Sequence, residues 1–216
     1  MTRLIKQEFQ CPVCRAAFQG QVVESVSHQG QDSDFFPHYL GPDPLPFFLV
    51  QCVQCQYCAY PEDFTEESET AKLPTPKQIR EILETPLAKK MDPEARRYFL
   101  AGRLYELGHK NPYHIGNLYL RGSWCCRIVG DRKGEVEMQQ LAVRFLRLSA
   151  EQSTMTNPEN LPVVIYLVGE LYRRLDEKNQ AREWFGNVEE AILDAEQQWL
   201  VELAKKQAEL NEHFIN

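Results

Sequence analysis

The sequence predicts a mainly α protein: a small zinc-ribbon-like N-terminal module of short strands and loops, then an antiparallel α-helical, tetratricopeptide-like array. Three observations lead there. Two C-x-x-C pairs, Cys11/Cys14 and Cys52/Cys55, are separated by 37 residues. From Thr75 onward the chain is punctuated as helices, with Thr75-Pro76, Asp92-Pro93 and Asn111-Pro112 each placing a capping side chain before a first-turn proline. A Gly-x-x-Tyr motif in one apolar pattern, Gly102 to Tyr105 and Gly169 to Tyr172, recurs 67 residues apart, close to two periods of about 34 residues.

The cysteine pairs carry the strongest chemistry. A tetrahedral zinc takes four soft ligands, and two residues between cysteines let one tight turn present both sulfurs to a single ion. Cys11, Cys14, Cys52 and Cys55 are therefore the expected ligands of one structural Zn2+, with no coordination position left for substrate. Cys58 extends the second pair to a triple and is a candidate replacement ligand, and an iron centre in the same cage stays open. Such turns favour glycine after the second cysteine, where the chain passes through positive φ. Arg15 and Gln56 stand there instead, so the turns are expected to be imperfect.

Charge separates the first 70 residues from the rest. Residues 1–70 hold three basic and ten acidic side chains, a net of −7, and residues 71–216 hold 21 of each sign. A zinc with four thiolates adds a formal charge of about −2, so the module repels phosphate backbones, and nucleic acid is not an expected partner. No apolar run has the length of a signal peptide or a membrane span. A cytoplasmic, reducing setting is expected, in which paired cysteines are more often metal ligands than disulfides.

The expected organisation is a zinc-ribbon-like module at 1–60, an acidic proline-containing linker at 61–76 and the helical array at 77–216, with a C-terminal capping helix. Between the cysteine pairs, Pro37, Gly41, Pro42, Pro44 and Pro46 exclude a helix. Asp34, His38 and Tyr39 could form an acid/base cluster. The plainer expectation is that Phe35, Phe36, Tyr39, Phe47 and Phe48 pack a small core around the metal, while Phe48, Val50 and Cys52 alternate as a strand entering the second turn.

Helices are expected at 76–85, 93–108, 112–129, 134–153 and from 162, with a last stretch to about Asn211. After Gly169, Ala181 and Phe185 occupy the small and aromatic positions where the second helix of a repeat packs on the first. After Gly102 those positions fall at His114 and Leu118, a weaker match. In this frame a partner groove would be lined by Arg96, Phe99, Arg103 and Glu106, and by Val163, Tyr166, Glu170, Arg173 and Arg174. Cys125 and Cys126 are expected as buried small apolar groups. Arg127, Arg173 and Arg174 are expected to pair with carboxylates, Glu170 with Arg174 among them, in preference to phosphate. Ile192, Ala195, Trp199, Leu203 and Leu210 form an apolar stripe interrupted by Gln207, fit to cap the array or to make a weak homodimer of an otherwise monomeric chain.

Cys11-Pro-Val-Cys14, Asp32-Ser-Asp34-Phe35, Cys52-Val-Gln-Cys55-Gln-Tyr57, Leu118-Tyr-Leu-Arg121-Gly-Ser-Trp124 and Tyr166-Leu-Val-Gly169-Glu-Leu-Tyr172-Arg-Arg174, continued by Ala181 and Trp184-Phe185, resemble the bacterial family known as domain of unknown function 2225 over nearly the whole chain. The resemblance implies a cysteine-rich, zinc-ribbon-like segment joined to tetratricopeptide-like helices, and it implies no activity. Gln56, where the family pattern tends to have glycine, and the extra Cys58 are the departures. The expected function is a non-enzymatic interaction scaffold that binds a protein or peptide. The alternatives are a thiol-based redox or metal-handling protein using Cys58 or the C-x-x-C pairs, and a nucleic-acid-binding ribbon, which the charge disfavours.

Overall fold

The computed structural model describes residues 1–64, 73–152 and 157–213. Its contacts divide the chain into two compact units, Met1–Lys110 with Leu118–Met138, and Asn111–Asn117 with Gln139–Asn216. Among the described residues the strands form short antiparallel pairs near the N-terminus and the elements that follow are helices, a mainly α fold with a small N-terminal module.

In the first unit, β1 (Arg3–Gln10) pairs with β2 (Ala17–Ser25), β3 (His28–Gln31) with β4 (Pro37–Tyr39), and β5 (Val50–Gln51) with β6 (Cys58–Ala59). The first hairpin is mostly polar and solvated; Phe9 and Val22 are its buried groups. The proline-dense segment excludes a helix as expected and instead makes a 3-10 turn at Leu45–Phe47, so the strand entering the second cysteine turn shrinks to Val50–Gln51.

Three proline-led helices follow: α1 (Pro76–Leu83), α2 (Pro86–Lys90) and α3 (Pro93–Leu107). Thr75 forms a full capping box with Gln78, while Thr85 and Asp92 cap the next two by accepting backbone N–H bonds. These side chains satisfy first-turn donors that a helix leaves unpaired. The separate short α2 was not expected, although Thr85-Pro86 repeats the same cap signature. α4 (Pro112–Ile128) and α5 (Arg132–Gln152) are divided between the units.

The expected boundaries at 60 and 77 do not mark these units: the cysteine-bearing strands and α1 to α3 lie in one. The physical reason is at the start of the expected linker. Pro61–Phe64 form a 3-10 turn with Asp63 and Phe64 buried, and Asp63 accepts from Tyr105 and from Lys110 Nζ at 3.0 Å. Residues 65–72 of that linker lie outside the described residues.

The second unit holds α6 (Leu161–Arg174), α7 (Lys178–Gly186), the single turn α8 (Val188–Ala191) and α9 (Gln198–His213). A Cβ added to Gly169 would come within 2.8 Å of the Phe185 ring, and Ala181 is fully buried, so the close crossing of α6 and α7 needs those residues. A similar crossing occurs in the first unit between α3 and α4, where a Cβ at Gly102 would come within 2.5 Å of the Tyr119 ring. The ring there is Tyr119, one position beyond the expected Leu118. The C-terminal stripe also falls out of the expected register. Ile192 is extended and Asp194 caps a 3-10 turn before α9, which resets the helical phase and buries Leu200, Val201, Ala204 and Gln207 while leaving Trp199 and Leu210 exposed.

Candidate metal centre

Two turns of one design build the site. In the first, the Arg15 N–H donates to the Cys11 carbonyl at 2.9 Å and the Cys11 N–H to the Ala16 carbonyl at 2.9 Å. In the second, the Gln56 N–H donates to the Cys52 carbonyl at 3.0 Å and the Cys52 N–H to the Tyr57 carbonyl at 2.8 Å. Arg15 and Gln56 occupy the left-handed region, with φ of 61° and 64°. The turns thus reach the glycine-favouring conformation without glycine, and the expected imperfection is one of strain rather than of shape.

The four sulfurs of Cys11, Cys14, Cys52 and Cys55 all lie within 4.8 Å of one another. Cys11 Sγ is 3.5 Å from Cys55 Sγ, and Cys14 Sγ is 3.6 Å from Cys52 Sγ. Four thiolates about 2.3 Å from a tetrahedral ion stand about 3.8 Å apart, so the donor set fits one metal ion of that kind. Cys11 and Cys52 are buried and Cys14 and Cys55 half-buried. Burial pushes the Cys11 thiol up to about 11 and raises Cys55 as well, whereas the Ala16 N–H brings Cys14 down to about 7. An ion must displace such protons to bind four thiolates, so its affinity falls as the solution is acidified.

Cys58 stands apart from this cluster. It follows the second turn into β6, pairs there with Gln51 and is fully buried, which pushes its thiol up to about 12. The alternative of an acid/base cluster at Asp34, His38 and Tyr39, the second choice from the sequence, is not what these side chains build. His38 Nε2 lies 2.7 Å from Asp32, while Asp34, fully buried, accepts from Arg127 at 2.5 Å and from Trp124 Nε1 at 3.1 Å. The expected aromatic core is also distributed differently. Phe36 stacks on Trp124 with centroids 5.3 Å apart, and Phe48 lies against Tyr39 and under the Arg121 guanidinium. The rings beside the turns are Phe9, Phe18, Tyr57 and Phe64, with neighbouring centroids 5.3 to 5.9 Å apart. Phe64 touches rings from both turns and is the clamp that sequence spacing missed, because it sits inside an acidic, linker-like run.

The cluster around Arg127 was legible only as single residues. Arg127 also bonds Asp32 at 3.1 Å and Glu135 at 2.9 Å, and Arg132 joins Glu135. Asp34 and Trp124 were both in quoted motifs, yet no spacing rule pairs residues 90 positions apart. Cys125 and Cys126 are buried as expected, their thiols raised by burial.

Among the expected groove residues, Arg96, Phe99, Arg103 and Glu106 lie on α3 in the first unit, and Val163, Tyr166, Glu170, Arg173 and Arg174 on α6 in the second. Phe99, Tyr166 and Glu170 are buried, which corrects their reading as groove-lining groups. Tyr166 packs on Phe185, and Glu170 is clasped by Arg173 at 2.7 Å and Arg174 at 2.8 Å, as a buried carboxylate requires. Arg103 and Glu106 pair at 3.0 Å, Glu106 also accepts from Tyr119, and both line a cavity of about 470 Å3 with Ile82, Thr85 and Leu107. Among the described residues no helix is long and apolar enough to cross a membrane.

No curated protein and no solved structure matches the chain. One family model matches residues 4–211, and the cysteine turns, Asp34, Trp124 and the Gly169 crossing all fall within it. The chain belongs to DUF2225, a family of uncharacterized proteins conserved in bacteria.

Proposed function

We propose that the protein is a non-enzymatic interaction scaffold in which one structural Zn2+ fixes the N-terminal turns and the helices present a surface to a protein or peptide partner. The four-sulfur cluster carries the reading: its thiols satisfy a tetrahedral ion with protein ligands alone, the donor set of structural rather than catalytic zinc. Zinc is favoured because a C-x-x-C pair on each of two tight turns is the usual thiolate arrangement for that ion. The reducing compartment expected from the sequence fits cysteines kept free for metal.

The surface favoured for the partner is the α1–α3 face, with Arg96, Arg103 and Glu106 partly exposed and the 470 Å3 cavity between α1 and the Arg103–Glu106 pair. Burial of Cys58 speaks against it as a reactive thiol, since thiolate chemistry needs access and an electropositive setting. The net charge of −7 continues to disfavour a nucleic acid partner.

The test joins both parts. Chelation should lower the melting temperature of the purified chain and added Zn2+ restore it. Site-directed photo-crosslinking in cells from a position on α1 should trap a discrete partner that Arg96→Glu with Arg103→Glu abolishes at unchanged helicity. Melting indifferent to chelation contradicts the structural metal, and crosslinks indifferent to the double substitution contradict the surface.

A further inference from the structure

We propose that a cavity beside the second cysteine turn captures the free C-terminal carboxylate of a peptide, with Arg97 as its cation. The site lies wholly in the first unit and shares no lining residue with the cavity between α1 and α3, so it stands or falls independently of the scaffold reading. Its volume is about 310 Å3, at the lower end of the roughly 300–1,000 Å3 of ligand pockets.

Three kinds of group line it. Gln19 and Gln21 come from β2 and Gln51 from β5, each carboxamide offering a donor and an acceptor. Phe47 and Leu49 supply apolar wall. Arg97, reaching from α3, is the one formally charged group of the lining.

Among the described residues Arg97 is held by a carbonyl and not by a carboxylate. It is half-buried, one of its N–H groups donates to the Pro46 carbonyl at 3.2 Å, and among the described residues it makes no ion pair. The contrast with Arg103, Arg127 and Arg173, each held by a carboxylate, is plain in a chain of net charge −7. A guanidinium has five donors arranged to grip a carboxylate through two of them, and the Pro46 bond leaves that capacity.

The chemistry selects the ligand. One cation among neutral carboxamides suits one negative charge, whereas a phosphate dianion would lack a second cation and meet the repulsive field of the acidic module. Carboxamides at the edge of a strand match the N–H and C=O groups of an extended peptide, and the apolar wall accepts its terminal side chain. A free terminus with an apolar last residue uses all three kinds of group together.

The experiment uses the full-length, metal-loaded protein and N-acetyl tripeptides ending in Val, Leu or Phe, each as free acid and as amide, followed by NMR titration. At least one free acid should bind roughly tenfold tighter than its amide, as a charge-assisted hydrogen bond predicts. Arg97→Gln should erase that preference. Gln21→Glu, isosteric and on an exposed side chain, should weaken the acid roughly tenfold by like-charge repulsion and keeps the proposal open to refutation if Arg97→Gln misfolds. Metal content and circular dichroism check both variants. Equal binding of acid and amide, no binding by any acid, or a preference that survives Arg97→Gln overturns the proposal. So does equal binding of a tripeptide amide with an internal Glu, which would assign the cavity to side-chain carboxylates.

Discussion

The first cysteine turn closes a hairpin whose strands are eight and nine residues long, whereas the second closes strands of two residues each. Their hydrogen bonds and left-handed residues nevertheless match. The long hairpin is largely solvated, but the short one is buried around Cys58 and Ala59 and packs against α3. The difference teaches that the turn is a local device whose support can come from either source. A long ladder carries the first through backbone pairing, and tertiary burial carries the second. The sulfurs and the rings around Phe64 tie the two turns together.

Removing one ligand from each turn should give the largest effects. Cys14→Ser and Cys52→Ser should both abolish stoichiometric metal, since structural zinc in small modules supplies on the order of 10 kcal/mol of apparent folding energy. Because Cys52 is itself buried and its turn leads into β6, which packs against α3, its variant should also melt the first unit's helices at lower temperature, whereas Cys14→Ser should chiefly loosen the hairpin. Equal loss of helical signal in the two would break the comparison.

Next in size is the anchor of the segment between the turns. Arg127→Met leaves Asp34 buried without its cation and should cost about 3–5 kcal/mol in urea unfolding. Phe64→Ala removes the ring that touches both turns and should cost about 3 kcal/mol or somewhat more, with slower metal uptake as the sign that the turns no longer meet before the ion arrives. The smallest effects belong to the left-handed residues. Arg15→Gly and Gln56→Gly relieve a conformational cost of about 1–2 kcal/mol and incur about 0.5–1 kcal/mol of chain entropy. Each should stabilise by no more than about 1.5 kcal/mol, measured by thermal melting of the metal-loaded protein.

The parts of this arrangement that were legible in the sequence are those encoded at short range. C-x-x-C spacing located all four sulfurs, and Thr75-Pro76, Asp92-Pro93 and Asn111-Pro112 located helix starts, because a turn or a cap is specified by residues within one turn of each other. Gly169 and Phe185 were paired correctly by repeat spacing, but Gly102 took Tyr119 instead of Leu118 because the loop before α4 sets a different phase. The α9 stripe failed for the same kind of reason: the Asp194 cap interrupts a pattern that composition alone cannot interrupt. What spacing could not show at all is long-range pairing. Asp34 with Arg127, Asp63 with Tyr105 and Phe64 with Phe9 join residues that only the fold makes neighbours.

The central claim is that four cysteines, and not Cys58, hold one structural ion. Elemental analysis of the purified wild-type chain, Cys11→Ser and Cys58→Ser tests it most directly. The account predicts one zinc per chain in the wild type and in Cys58→Ser and none in Cys11→Ser. Wild-type protein without metal, or metal lost in Cys58→Ser and kept in Cys11→Ser, would contradict it.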